Sequence, residues 1–77
     1  MGSVSEDAHS GRRLRAVRES QRKSLADVAE PAGISAGFLS RVERGLKRPS
    51  VPVLMRIGRE LGLRDLVESI GLFVEEK

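Results

Sequence analysis

Between Leu25 and Arg44 the chain reads LADVAEPAGISAGFLSRVER, in which Ala29, Gly33 and Leu39 succeed one another at intervals of four and six residues, with apolar side chains beside each. No other feature constrains the fold as tightly. The spacing describes two short helices crossing at a tight turn. Ala29 leaves room where the second helix passes closest, Gly33 accepts the positive φ that the turn needs, and Leu39 falls on the buried face of the second helix.

Elsewhere apolar residues recur at intervals of three and four, and no stretch alternates with period two for long enough to make a strand, so the expected class is all-α. A first helix is expected from about Gly11 to Gln21, with Leu14 and Val17 inward and the arginines outward. Ser24 caps a second helix, Asp27 completes a weak capping box, and Leu25, Val28, Ala29 and Ala32 form its buried face. Ser35 caps the third helix, in which Phe38, Leu39 and Val42 lie inward or at the margin while Ser40, Arg41 and Arg44 point outward. Gly45 stops it. Ser50 caps a fourth, with Pro52 in its first turn, a stripe of Val53 or Leu54, Ile57 and Leu61, and Gly62 at its end. A shorter fifth helix spans about Arg64 to Ile70. Pro31 fits this scheme worst, because it removes the hydrogen bond to the Asp27 carbonyl and disfavours helical angles at Glu30. The second helix is therefore expected to end early or bend there.

Seventy-seven residues make one small domain. Cysteine is absent and His9 is the single histidine, so neither a disulfide framework nor a cysteine or histidine metal site is expected, and no cofactor. No nucleophile, base and orienting group fall at a recognisable spacing, and there is no phosphate loop, so no catalytic residues and no enzymatic activity are expected. Apolar runs reach three residues, as at Val53 to Met55, and MGSVSEDAHS lacks a signal pattern, which gives the expectation of a cytoplasmic protein with no membrane partner. The net charge is +3, but its distribution says more: from Gly11 to Pro49 ten basic residues face four acidic ones, a local +6, while the flanks are acidic. A domain polarised in this way turns its basic half toward a polyanion, the electrostatic footprint of a nucleic-acid binder.

The run from Leu14 to Leu63 resembles the Cro/repressor-type helix-turn-helix family of phage and bacterial transcription regulators. The resemblance is carried by Leu14-Arg15 and Arg18, Ser24-Leu25 with Val28-Ala29, Ala32-Gly33-Ile34-Ser35, Leu39-Ser40 with Val42-Glu43-Arg44-Gly45, and Arg48-Pro49-Ser50. It implies a compact lambda-repressor-like bundle of four or five helices, the second and third forming the unit that binds double-stranded DNA. It also implies an ion pair between Arg18 and Glu43, with a phosphate contact by Arg18 as the competing reading. Base-contacting positions correspond to Ala36, Gly37, Ser40 and Arg41. Arg41 is the residue able to bond O6 and N7 of a guanine together, while Gly37 either admits the backbone or merely relieves crowding beside Phe38. Phosphate contacts are expected from Ser35, from Ser24 and Leu25 at the start of the second helix, and from Arg44, Lys47 and Arg48. Arg12, Arg13 and Arg15 either assist or form an ordinary solvated face. Phe38 is read as packing rather than base stacking, since Phe73 is the only other aromatic residue.

The expected organisation is a flexible arm over 1–10, the DNA-binding domain over 11–70 and a tail over 71–77. Leu66, Val67, Ile70, Leu72, Phe73 and Val74 exceed what a small bundle needs. They either form a homodimer or partner surface or close the monomer's own core. The function expected from all this is sequence-specific regulation of transcription from the nucleoid, by repression as a homodimer on a palindromic operator. The alternatives are an antitoxin-like module whose tail holds a protein partner, and a general nucleoid binder.

Overall fold

The computed structural model describes residues 6–63. Four helices follow in order, α1 (Glu6–Ser20), α2 (Leu25–Ala32), α3 (Ala36–Glu43) and α4 (Val51–Leu61), and no strand occurs among the described residues. The class is all-α, as the periodicity implies. Leu14, Val28, Ala29, Ala32, Leu39, Val42, Ile57, Leu61 and Leu63 form one core to which every helix contributes. Val28, Ala29 and Ala32 are completely buried, because α2 lies between α3 and α4 while α1 packs chiefly along α3. The expected fifth helix and the residues Leu66, Val67, Ile70, Leu72, Phe73 and Val74 lie outside the described residues.

Three helices start where a serine hydroxyl can accept a first-turn amide. Ser24, Ser35 and Ser50 accept from the amides of Asp27, Phe38 and Val53 at 3.0, 2.9 and 3.3 Å, each satisfying one of the donors that a helix start leaves orphaned. The ends are equally regular. Gly33, Gly45 and Gly62 take φ of 77°, 78° and 71°, and the amide of the following residue reaches back to a last-turn carbonyl, as Ile34 does to Ala29 at 3.0 Å. The same bond closes α1, from the Lys23 amide to the Arg18 carbonyl at 3.1 Å, but the left-handed residue there is Arg22 at φ 58°. An L side chain in that geometry costs about 1–2 kcal/mol. The turn is tied down from below: Gln21 Nε2 and Lys23 Nζ donate to the carbonyls of Leu61 and Glu60 at 2.8 and 2.9 Å, capping the end of α4.

Two boundaries differ from expectation. Of the two outcomes expected at Pro31, an early end or a bend, the early end is not found: helix α2 continues to Ala32. The proline sits in the last turn, where the bond to the Asp27 carbonyl is the one it forgoes and no following turn depends on it. Helix α1 begins at Glu6 rather than near Gly11, so half of the segment expected as an arm is helical. Gly11 suggested a boundary because glycine in a helix interior is about 1 kcal/mol worse than alanine. It is there for packing instead: a Cβ at Gly11 would stand 2.5 Å from the carbonyl oxygens of both Val42 and Glu43.

Candidate nucleic-acid interface

Eight residues, Ala36–Glu43, make up α3, and their side chains divide cleanly. Leu39, Val42 and Glu43 are buried, and Phe38 packs half-buried against the core, which is the packing role read for it. Glu43 is a charge on the inner side of a helix, and Arg18 of α1 answers it. Arg18 Nε donates to Glu43 Oε2 at 2.8 Å and Nη2 donates to Oε1 at 3.0 Å, while Nη1 donates to the Lys23 carbonyl at 2.9 Å. The two carboxylate bonds hold the guanidinium above its ordinary range against the opposing effect of burial. Arg18 and Glu43 are only 8% and 5% exposed, so Arg18 is turned to Glu43 rather than outward to a phosphate. A bidentate pair of this kind fixes orientation as well as distance, and it ties the C-terminal end of α3 to the last turn of α1.

The outer side of α3 presents Gly37, Arg41 and Arg44 as exposed residues, with Ala36 and Ser40 half-exposed beside them. At one hundred degrees per residue these five positions share a face. The guanidinium of Arg41 makes no hydrogen bond or ion pair among the described residues, whereas Arg44 Nε donates to the Ser40 carbonyl at 3.3 Å. Beyond α3 the loop carries Lys47 and Arg48, both exposed. Arg41, Arg44, Lys47 and Arg48 thus continue from the last turn into the loop as one basic rim. Arg15 belongs elsewhere, pairing with Glu19 at 3.0 Å on the solvated face of α1.

The helix starts differ electrostatically. Ser35 is followed by no acidic residue in the first turn of α3, and the amides of Ala36 and Gly37 precede the first intrahelical bond. Ser24 is followed by Asp27, whose Oδ2 accepts the Ser24 amide at 2.8 Å. Those bonds, backbone first and hydroxyl second, hold the Asp27 carboxyl below the usual carboxylate range, with Lys23 adding a smaller effect in the same direction. A fixed negative charge therefore stands beside Ser24 and Leu25, and the start of α3 is the more favourable of the two for an anion.

A family model described as a helix-turn-helix domain matches residues 10–69. The chain belongs to the helix-turn-helix domain family. An uncharacterized HTH-type transcriptional regulator of Mycobacterium tuberculosis is 44% identical over 48 residues, covering 62% of this chain and 34% of that protein. The transcriptional regulator ClgR of the same species is 44% identical over 50 residues, covering 65% of this chain and 45% of ClgR. The HTH-type transcriptional regulator DdrOP3 of Deinococcus deserti is 33% identical over 66 residues, covering 83% of this chain and 51% of DdrOP3. The chain thus spans about half or less of these relatives. No solved structure matches significantly.

Proposed function

We propose that this helix-turn-helix protein is a sequence-specific double-stranded DNA-binding regulator of transcription that enters the major groove with α3. The observation that carries the reading is the division of α3: an inner side locked by the Arg18–Glu43 pair and an outer side where Arg41 is exposed and uncommitted. A side chain with this reach and fork geometry reads guanine, and Ser40, Gly37 and Ala36 let the helix approach closely. The anion site at Ser35, together with Arg44, Lys47 and Arg48, positions the domain on phosphates without reading sequence. Ser24 and Leu25 contribute less, because Asp27 accompanies them.

One such helix reads only a few base pairs, so the protein acts as a homodimer on half-sites about 10 bp apart. Occupancy of such a site makes it a repressor, working in the nucleoid of the cytoplasm. The names of its relatives as transcriptional regulators agree with this role. Selection of bound duplexes from a random pool tests the whole reading. A symmetric consensus with one-turn spacing supports it, and a pool that stays random at moderate salt, as a general nucleoid binder would leave it, refutes it.

A further inference from the structure

The geometry points to Gly11 as a positioning residue for the recognition helix, an inference that rests on the DNA-binding reading and extends it to a residue in α1. Gly11 lies in the interior of α1 and is buried against the last turn of α3. A methyl group there would meet the carbonyl oxygens of Val42 and Glu43 at 2.5 Å and the Glu43 carbonyl carbon at 2.8 Å, where ordinary contact begins at 3.4 Å. These are backbone atoms. The turn that follows them is itself bonded, from the Gly45 amide to the Val42 carbonyl at 3.0 Å, so no side-chain rotation relieves the conflict.

One of the two helices has to move by close to an ångström. Helix α1 is anchored independently of α3, by Leu14 in the core three residues on and, just past its end, by the bonds of Gln21 and Lys23 to the end of α4. The end of α3 is what yields. Arg41 stands one residue before Val42, so a shift at the contact is passed almost undiminished to the guanidinium, whereas good N–H···O bonds occupy a window of only about 0.5 Å. Gly11 and the Arg18–Glu43 pair then act together, the glycine setting how closely α3 lies against α1 and the pair setting its direction.

The test compares the full wild-type chain, Gly11→Ala and a control weakened elsewhere in the core, Ile57→Val. Each is titrated with a selected duplex and a scrambled duplex at one salt concentration and at a temperature where circular dichroism shows it folded. The expected result is a fall of roughly tenfold or more in the ratio of specific to scrambled affinity for Gly11→Ala, with the ratio of Ile57→Val unchanged. In addition, Arg41→Ala has a smaller effect on that ratio in the Gly11→Ala background than in wild type, which a purely structural glycine would not produce. A folded Gly11→Ala with wild-type discrimination overturns the inference, since α1 has then given way instead. If the variant is unfolded in buffer, the titration is done in an osmolyte that restores the fold, and a chain that folds under neither condition also overturns it. A wild-type chain that itself fails to discriminate sinks the functional reading and this inference with it. Loss confined to Gly11→Ala leaves both standing.

Discussion

Helices α2 and α3 have the same length, begin on a serine and are followed by a glycine in left-handed geometry, yet they are finished in opposite ways. Helix α2 places Asp27 at its start, where the carboxylate is consumed by Ser24, and has no basic residue in its last turn; its inner side is wholly apolar. Helix α3 has no acid at its start, Arg41 in its last turn, and a carboxylate on its inner side. A helix whose task is to support others satisfies its polar groups locally and buries only hydrocarbon. Helix α3, the recognition helix of the proposed function, is anchored from behind and leaves Arg41 uncommitted in front.

The sharpest way to break that contrast is to remove the anchor. Glu43→Ala strands the Arg18 guanidinium in a site that is 8% exposed, at a cost of about 3–5 kcal/mol. In a domain of this size each kcal/mol lowers Tm by about 4–8 °C, so thermal melting measures the loss directly. A variant melting close to wild type would mean that α3 is held by its apolar face alone, as α2 is.

The outer side is tested by Arg41→Ala against Glu30→Ala, its exposed and charged counterpart on α2. Both leave Tm nearly unchanged, as surface substitutions away from packing do. Only Arg41→Ala weakens discrimination between selected and scrambled duplexes, by about 1–3 kcal/mol, measured by competition titration at fixed salt. A loss from Arg41→Ala that is the same on selected and scrambled duplexes, mirrored by a gain on both from Glu30→Ala, would indicate a general response to charge and remove the special standing of α3.

Much of this contrast was legible in the chain itself, because it rests on local chemistry. Ser24, Ser35 and Ser50 announce helix starts, Gly33, Gly45 and Gly62 announce ends, and the three- and four-residue spacing assigns Leu39 and Val42 to the inside. Reading failed where a residue's reason lies in another element. Gly11 looks like a boundary until the carbonyls of Val42 and Glu43 are placed against it, and Pro31 looks like a breaker until the helix is seen to need only one more residue beyond it. Nothing local in Gln21 or Lys23 foretells that they cap a helix whose end lies 40 and 37 residues away. The division of charge between the starts of α2 and α3 was visible in principle, since Asp27 had been read as a cap; its bearing on phosphate binding at Ser24 and Leu25 emerged only with the bond from the Ser24 amide.

Arg22 extends the comparison to helix ends. It occupies the geometry that glycine occupies after the other three helices, and Arg22→Gly relieves the backbone at some cost in unfolded-chain entropy. The net gain in stability is roughly 0.5–1 kcal/mol, read as a rise in Tm. A fall instead would show that the arginine side chain holds the turn in a way the backbone geometry does not reveal.

The smallest effect separates the two helix starts by pH. The folded-state pKa of Asp27 is lowered, so its carboxylate stabilises the native chain fully above the ordinary value of 3.8, and that contribution disappears as pH falls through the folded value. Asp27→Asn removes the charge while keeping the shape. The Tm difference between wild type and Asp27→Asn is therefore greatest near neutrality and closes progressively in acid. Ser35→Ala, which deletes a cap with no acid beside it, costs about 1 kcal/mol, and that difference holds steady over the same range. Should the Asp27→Asn difference persist unchanged in acid, the charge at the start of α2 would have no part in capping it, and the reason for ranking that site below the start of α3 as an anion site would be lost.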